Sequence, residues 1–222
     1  MRDDFHPVVD EYLEAIGWLA EGGGPVIAVR IAEWMRKSRT SVSEMLERLE
    51  ASGYVERFGR EIHLTEEGLG RSQRVIRRHR LAECLLVEVI GLSWRDVHAE
   101  AGRFERVISD DVEERLSKLL GDPATCPHGN PIPGSASARP DAALQMRLTD
   151  TVPGQSVRLV RLTQEVEVDQ ASLAYLDEGG FAPGATALVL ERGPDGTLVL
   201  GLGGGSLALG PELCARLFVV AA

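Results

Sequence analysis

Nine residues, Cys126-Pro127-His128-Gly129-Asn130-Pro131-Ile132-Pro133-Gly134, constrain this chain more than any other stretch. Proline fixes φ and lacks an N–H, and glycine opens left-handed backbone, so neither a helix nor a strand runs through the segment. Upstream of it, apolar residues recur at helical spacing. Downstream, after a Ser/Ala/Pro-rich linker at Ser135 to Asp141, they come in short runs: Ser156 to Leu162, Ala187 to Glu191 and Thr197 to Leu200. Turns at Pro153-Gly154, Pro183-Gly184 and Asp195-Gly196 punctuate these runs, and one short helix, Ala171 to Glu178, interrupts them. The expectation is a mainly α amino-terminal half and a small all-β barrel of five strands.

The first half has an order of its own. Pro7 to Glu21 is predicted helical and is stopped by Gly22-Gly23-Gly24-Pro25. A short helix, Arg30 to Arg36, leads through Lys37-Ser38-Arg39-Thr40 into a second one carrying Val42, Met45, Leu46 and Leu49, ended by Gly53. Tyr54 to Phe58 and Glu61 to Leu64 flank Gly59-Arg60 as a hairpin. Helix, turn, helix and hairpin together read as a winged helix-turn-helix, whose second helix enters the DNA major groove. Its leading side chains are Ser38, Arg39, Thr40, Ser41, Ser43 and Glu44, with Arg60 at the wing tip. Arg39 is the one side chain of this set able to fork onto guanine. A net charge of −10 argues against nucleic acid. The cations nevertheless gather in this third of the chain, in Arg36-Lys37-Ser38-Arg39 and at Arg71, Arg74, Arg77, Arg78 and Arg80, so a basic face is available.

A long helix is predicted from the cap Thr65 to about Val89, and another from Ser93 to Leu120. His79 and Glu83 stand one turn apart on the first, and His98 and Glu105 two turns apart on the second. If the helices pack antiparallel, the four converge, and close carboxylates in a partly dry groove call for a cation. The apolar residues of these helices exceed what two helices bury unaided, which implies a second subunit. Three cysteines at unpatterned spacing indicate neither disulfides nor a CxxC zinc site: Cys84 and Cys214 read as core, and Cys126 with His128 as part of a structural turn. With no apolar run long enough for a bilayer and no signal-peptide core, the expectation is a cytoplasmic protein without a membrane partner.

The segments His79-Arg-Leu-Ala-Glu83, Val97-His-Ala-Glu-Ala101, Ser109-Asp-Asp-Val-Glu-Glu-Arg-Leu116 and His128-Gly-Asn-Pro-Ile-Pro-Gly134, in this order, resemble the diphtheria toxin repressor and manganese transport regulator family over essentially the whole chain. The resemblance implies a metal-activated, dimeric transcription repressor that binds a palindromic operator in genes of manganese or iron homeostasis. Its parts would be a winged helix-turn-helix over 1–72, a helical dimerisation and metal-binding domain over 73–140, and an SH3-like domain over 141–222. One metal site of the family maps onto His79, Glu83 and His98, with Glu167-Val-Asp-Gln170 matching its Glu-x-x-Gln element. The other maps onto Glu11, Gly102, Glu105 and Arg106, with Glu14 one turn beyond Glu11. Gly102 offers no side-chain ligand. Arg106 cannot ligate a cation, but its fixed charge could stand in for one by pairing with Glu11 or Glu105. Nitrogen and oxygen donors without sulfur favour Mn²⁺ over Fe²⁺, while other divalent first-row ions would bind in vitro. A metal-dependent hydrolase is disfavoured because HExxH, nucleophile-elbow and phosphate-loop motifs are missing. The other rival, a metal-independent interaction module whose barrel takes a Pro-rich peptide, is disfavoured by the barrel's few aromatics, Tyr175, Phe181 and Phe218, although Pro127 to Pro140 could be an internal ligand.

Overall fold

A computed structural model describes residues 7–137 and 144–222. The end of the expected linker falls in 138–143, outside the described residues. Helix α1 (Pro7–Gly22) buries Tyr12, Leu13, Ile16 and Leu19. It is followed by α2 (Ala28–Met35), α3 (Arg39–Ala51) and the hairpin β1 (Val55–Phe58) and β2 (Glu61–Leu64), paired from Val55↔Leu64 to Phe58↔Glu61. Ser38 caps α3 by accepting from the Ser41 N–H at 3.1 Å, so the predicted reading helix begins at Arg39. Ile31, Val42, Leu46, Leu49, Val55 and Ile62 close the core of this winged helix.

Thr65 starts α4 (Glu66–Cys84) by accepting from the Gly68 N–H at 3.1 Å, and a π turn, Leu85–Val89, extends it to the predicted end. α4 runs through residue 72 unbroken and lies close against α1. A β-carbon on Gly17 would stand 2.3 Å from Ser72 Oγ, which itself donates to Leu13 O at 2.8 Å.

The second long helix is not one helix. It divides into α5 (Val97–Phe104), a 3₁₀ turn at Glu105–Val107 and α6 (Asp110–Leu119). The physical reason is a start signal inside it: Ser109 caps Val112 N, and Asp110, Asp111 and Glu113 complement the first turn of a new helix. Val89, Ile90, Phe104, Val107, Val112 and Leu119 remain exposed along this region, the apolar excess noted in the sequence.

The β half has six strands where five were expected. β3 (Met146–Arg147), β4 (Ser156–Leu162), β5 (Thr186–Arg192), β6 (Leu198–Leu202), β7 (Gly205–Leu209) and β8 (Leu217–Ala221) pair in the order β3-β8-β4-β5-β6-β7. α7 (Gln164–Glu167), α8 (Gln170–Glu178) and α9 (Pro211–Cys214) complete it. β3, β7 and β8 escaped the pattern because β3 is two residues long and a Gly203-Gly204 turn and α9 cut the carboxy-terminal apolar residues into pieces of five.

The Pro/Gly segment docks on this barrel. Leu162 N donates to His128 O at 3.0 Å, and Asn130 Nδ2 to Leu162 O at 2.9 Å. Gly129 lies at φ +83°, and a β-carbon there would meet Val160 O at 1.8 Å, so only glycine admits this approach. Trp94 packs on the barrel core and donates to Asp177 at 2.9 Å, while Arg30 and Glu165 link α2 to α7 at 3.6 Å.

Candidate metal centre and reading head

His79 is the hub of a buried line of imidazoles and carboxylates. α4 sets it one turn before Glu83 on a face that also buries Leu81, Ala82 and Cys84, and its ring is 1% exposed. Nδ1 lies 2.6 Å from Glu105 Oε2 and 4.0 Å from Glu14 Oε1, whereas Nε2 lies 3.2 Å from Glu83 Oε1 and 3.0 Å from His98 Nδ1. The line continues past Glu83: Oε1 is 3.3 Å from His128 Nδ1, which in turn is 3.6 Å from Glu167 Oε2 and 4.0 Å from Cys126 Sγ. Three sets of potential ligands result, namely Glu14/His79/Glu105, His79/Glu83/His98 and Glu83/Cys126/His128, overlapping at His79 and Glu83. Trp18 closes edge-on over His79, centroids 5.2 Å apart.

The imidazoles and carboxylates of this line shift one another's protonation against their burial. Burial opposes the charged form of His79, yet Glu83 and Glu105 outweigh it and raise its pKa well above the ordinary histidine value. Burial likewise opposes a charged His128, and Glu167 and Glu83 overcome it. Glu83 is drawn well below the usual carboxylate range, against its burial, by His128 and His79. Glu14 goes the other way, pushed well up by burial and by the neighbouring Glu105. Burial holds the Cys126 thiol up at about 12. Among the described residues three buried carboxylate oxygens have no hydrogen-bond partner, and two of them, Glu14 Oε1 and Glu83 Oε2, lie in this line while the third is Glu165 Oε2. A divalent cation with oxygen and imidazole ligands satisfies such orphaned acceptors, and the donor set fits one.

The sequence-predicted residues divide. His79, Glu83, His98, Glu105, Glu14 and Glu167 come together. Gln170 does not: Asp169 caps α8, turning Gln170 to the surface, where its amide donates to Arg95 O at 3.4 Å. The amide near the cluster is Gln164, whose Nε2 is 3.4 Å from His98 Nδ1. Glu11 also stands apart, paired with Lys37 Nζ at 3.1 Å rather than with Arg106. Among the described residues Arg106 makes no ion pair within 4 Å, and its charge is felt by Glu14. Both Glu11 and Arg106, with Gly102, line a cavity of about 710 Å³ that reaches Glu14, His79 and Glu105. Cys126 and His128, read from the sequence as part of a structural turn, also lie in this cluster, as does Gln164, which was not singled out. A Cys-x-His spacing inside a rigid Pro/Gly turn was the available signal for the first two. Asn130, which donates to Glu167, holds the turn to that carboxylate.

On the other face of the winged helix, Ser38, Arg39, Thr40, Ser41, Ser43 and Glu44 are all exposed while Val42 and Leu46 are buried, and Arg60 is exposed at the hairpin tip. This is a presented helix amino terminus with a wing beside it.

A winged helix with an exposed reading face, joined to helices that carry a buried cluster able to ligate a divalent cation, defines a DNA-binding regulator of the metal-responsive class. Comparison with known proteins gives the family. "Iron dependent repressor, N-terminal DNA binding domain" matches residues 4–60, "Iron dependent repressor, metal binding and dimerisation domain" residues 65–134, and "FeoA domain" residues 146–221. The chain is 41% identical over 207 residues to the iron-dependent repressor IdeR of Mycobacterium leprae, covering 89% of this chain and 90% of that protein. It is 37% identical over 198 residues to the diphtheria toxin repressor of Corynebacterium efficiens, covering 85% of each. A solved manganese-dependent transcriptional repressor in complex with manganese superposes with a TM-score of 0.83 at 27% identity, over 96% of this chain and 100% of that one. The chain belongs to the iron-dependent repressor family, whose members are metal-dependent transcription repressors with DNA-binding and dimerisation domains, not enzymes. Among the described residues no helix is long and apolar enough to cross a membrane.

Proposed function

We propose that the His79-centred line is the metal sensor of this repressor, with Glu14, His79 and Glu105 holding a cation at one end and Glu83, His98, His128, Cys126 and Glu167 at the other. The observation that carries the reading is the pair of buried, partnerless carboxylate oxygens on Glu14 and Glu83, on either side of one histidine. The bound cation supplies positive charge that lets these carboxylates stay ionised together. The residues do the mechanical work. Glu14 belongs to α1 of the reading head, His79 and Glu83 to α4, Glu105 to the turn after α5, and Glu167 to the barrel. Shared ligation ties all three units together and shifts the population towards the arrangement that binds DNA, by no more than the difference in metal affinity between the arrangements. The exposed apolar strip from Val89 to Leu119 supports a homodimer, and its two-fold axis implies a pseudo-palindromic operator read by two copies of α3.

Mn²⁺ suits Glu14, His79 and Glu105, which offer only nitrogen and oxygen. Fe²⁺ is the second reading, favoured by the Cys126 thiol at the other end. Metal titrations followed by calorimetry, paired with fluorescence anisotropy on the chain's own upstream DNA, test the proposal. The expected result is that Glu14→Gln weakens metal binding and metal-dependent DNA binding together while Gln170→Ala leaves both unchanged. Unchanged affinity for Mn²⁺ and Fe²⁺ in Glu14→Gln and His79→Ala alike sinks it.

A further inference from the structure

Arg147 on β3, Phe218 on β8 and Arg161 on β4 form one row across the outer face of the barrel sheet, in the register Arg147↔Phe218↔Arg161. Simple alternation would not put Arg161 there. Leu159 and Leu162 are both buried in the core although three residues apart, which requires an inserted residue between them. The register shift between Leu159 and Arg161 is that insertion, and it turns Arg161 outwards onto the ring. The Arg161 guanidinium lies 3.7 Å from the Phe218 centroid and that of Arg147 5.2 Å.

Neither guanidinium has a carboxylate within 4 Å among the described residues. Arg161 donates to Asn130 Oδ1 at 3.3 Å and Arg147 to Ala215 O. The contrast with their neighbours is sharp, because Arg30, Arg71, Arg77 and Arg80 each meet an acidic side chain. The nearby Glu21 is spent on Arg80, which also donates to Pro131 O at 2.5 Å. Burial, Arg80 and Arg147 all work against a charged Arg161, and Glu21 and Glu167 offset them only in part. In a chain of formal charge −10, these two half-buried arginines keep most of their N–H donors unused among the described residues.

We propose that this row is a binding site for a small phosphoryl oxyanion, gripped by both guanidiniums. Two planar forks that both stack on one aromatic ring match the several acceptor oxygens of a phosphoryl group. Gly23 sits opposite Arg147, where a β-carbon would lie 3.5 Å from Nη2, and Asn130 stands beside Arg161. Partly buried and walled in this way, the pair suits a free ion better than the convex backbone of a duplex.

The test uses metal-free, full-length dimer titrated with inorganic phosphate in one arm and glycerol 3-phosphate in the other, followed by calorimetry at constant ionic strength. Saturable binding of one phosphoryl group per subunit is expected, and Arg147→Met and Arg161→Met should each weaken it about tenfold or more. Methionine keeps an apolar stem on Phe218, and Arg161→Lys, which retains charge without the fork, should fall in between. Preference between the arms tells the free ion from a phosphate ester. Absence of saturable binding by the wild type at millimolar phosphate overturns the proposal, as does equal binding by the folded double variant. Loss of DNA affinity in Arg147→Met without any phosphate binding also overturns it, since the pair would then be a DNA-backbone contact.

Discussion

Replacing His79 by Ala tests the hub most directly, because both ring nitrogens are engaged. The wild-type imidazole lies within 2.6 to 4.0 Å of Glu105, Glu83 and Glu14, all three buried. Without it the metal-free protein holds three close carboxylates and loses the cation between them. Removing one partner of a buried ion pair typically costs about 3–5 kcal/mol. Glu14 already resists ionisation, so taking up its proton returns part of that, and the lower end, about 3 kcal/mol, is expected. Metal binding suffers separately: outer-shell partners alone change affinity by about 10–100-fold, and a lost ligand shared by two neighbouring sets should exceed the upper figure. Urea unfolding of the metal-free dimer at fixed protein concentration measures the first quantity, and calorimetric titration with Mn²⁺ or Fe²⁺ the second. A variant as stable as the wild type, with unchanged stoichiometry and affinity, would falsify the central role given to this histidine.

Three further outcomes follow from the same geometry. Metal-free stability should peak between pH 4.5 and 6.5. His79 and His128, raised by folding, contribute fully below 6.5 and lose that contribution as pH rises through their higher folded values, whereas Glu83, lowered by folding, contributes above 4.5 and loses it on acidification. A flat profile from pH 5 to 9 in urea melts contradicts those charges, and saturating metal should reverse the alkaline decline because its ligands must be deprotonated. Gly129→Ala forces an L side chain into φ +83° against Val160 O and should destabilise by about 2–4 kcal/mol, with the barrel becoming protease-sensitive before the helical half. Arg39→Ala should cost about 1–3 kcal/mol in specific DNA affinity; an equal loss on random duplex would make Arg39 a phosphate contact instead.

Much of this was legible in the sequence where a periodic pattern and a cap agree. Thr65 marked a helix start correctly because a hydroxyl three residues before a free N–H is a local interaction, independent of the rest of the fold, and Ser38 caps α3 in the same way. The predicted helix over Ser93 to Leu120 failed for the same local reason, since the Ser109-Asp110-Asp111 cap was read as part of a longer apolar period. Cluster residues on helices were legible, as His79 and Glu83 show. Those on the exit segment were not, because His128 meets Glu83 only through a turn whose shape depends on Gly129 resting against Val160, thirty-one positions along the chain. Which glutamine faces the cluster in this structure is a matter of register. Glu167-x-x-Gln170 and Gln164-x-x-Glu167 share Glu167, and only the start of α8 at Gln170 decides which neighbour faces inwards.

The overlap of the ligand sets carries a consequence that separate sites would not have. His79 and Glu83 each belong to two sets, so a cation at the Glu14 end fixes the His79 ring, and with it the face that His79 shows Glu83 and His98. An imidazole that donates Nδ1–H to Glu105 and Nε2–H to Glu83 holds two protons, and a cation at either nitrogen displaces one of them. A divalent ion in place of one proton leaves more positive charge beside Glu83, and the second ring nitrogen keeps its proton, so filling one end weakens the other, which is negative linkage between the ends. The physical path is short: Glu14 on the reading head, one histidine, Glu83, then His128 and Glu167 at the barrel. Reciprocity makes the linkage measurable from either side. Weakening the barrel end with His128→Gln should raise metal affinity at Glu14 when both ends compete for ions, although the two residues do not touch. Affinity at the Glu14 end that is indifferent to His128→Gln would mean that the two ends fill independently and that His79 passes nothing between them.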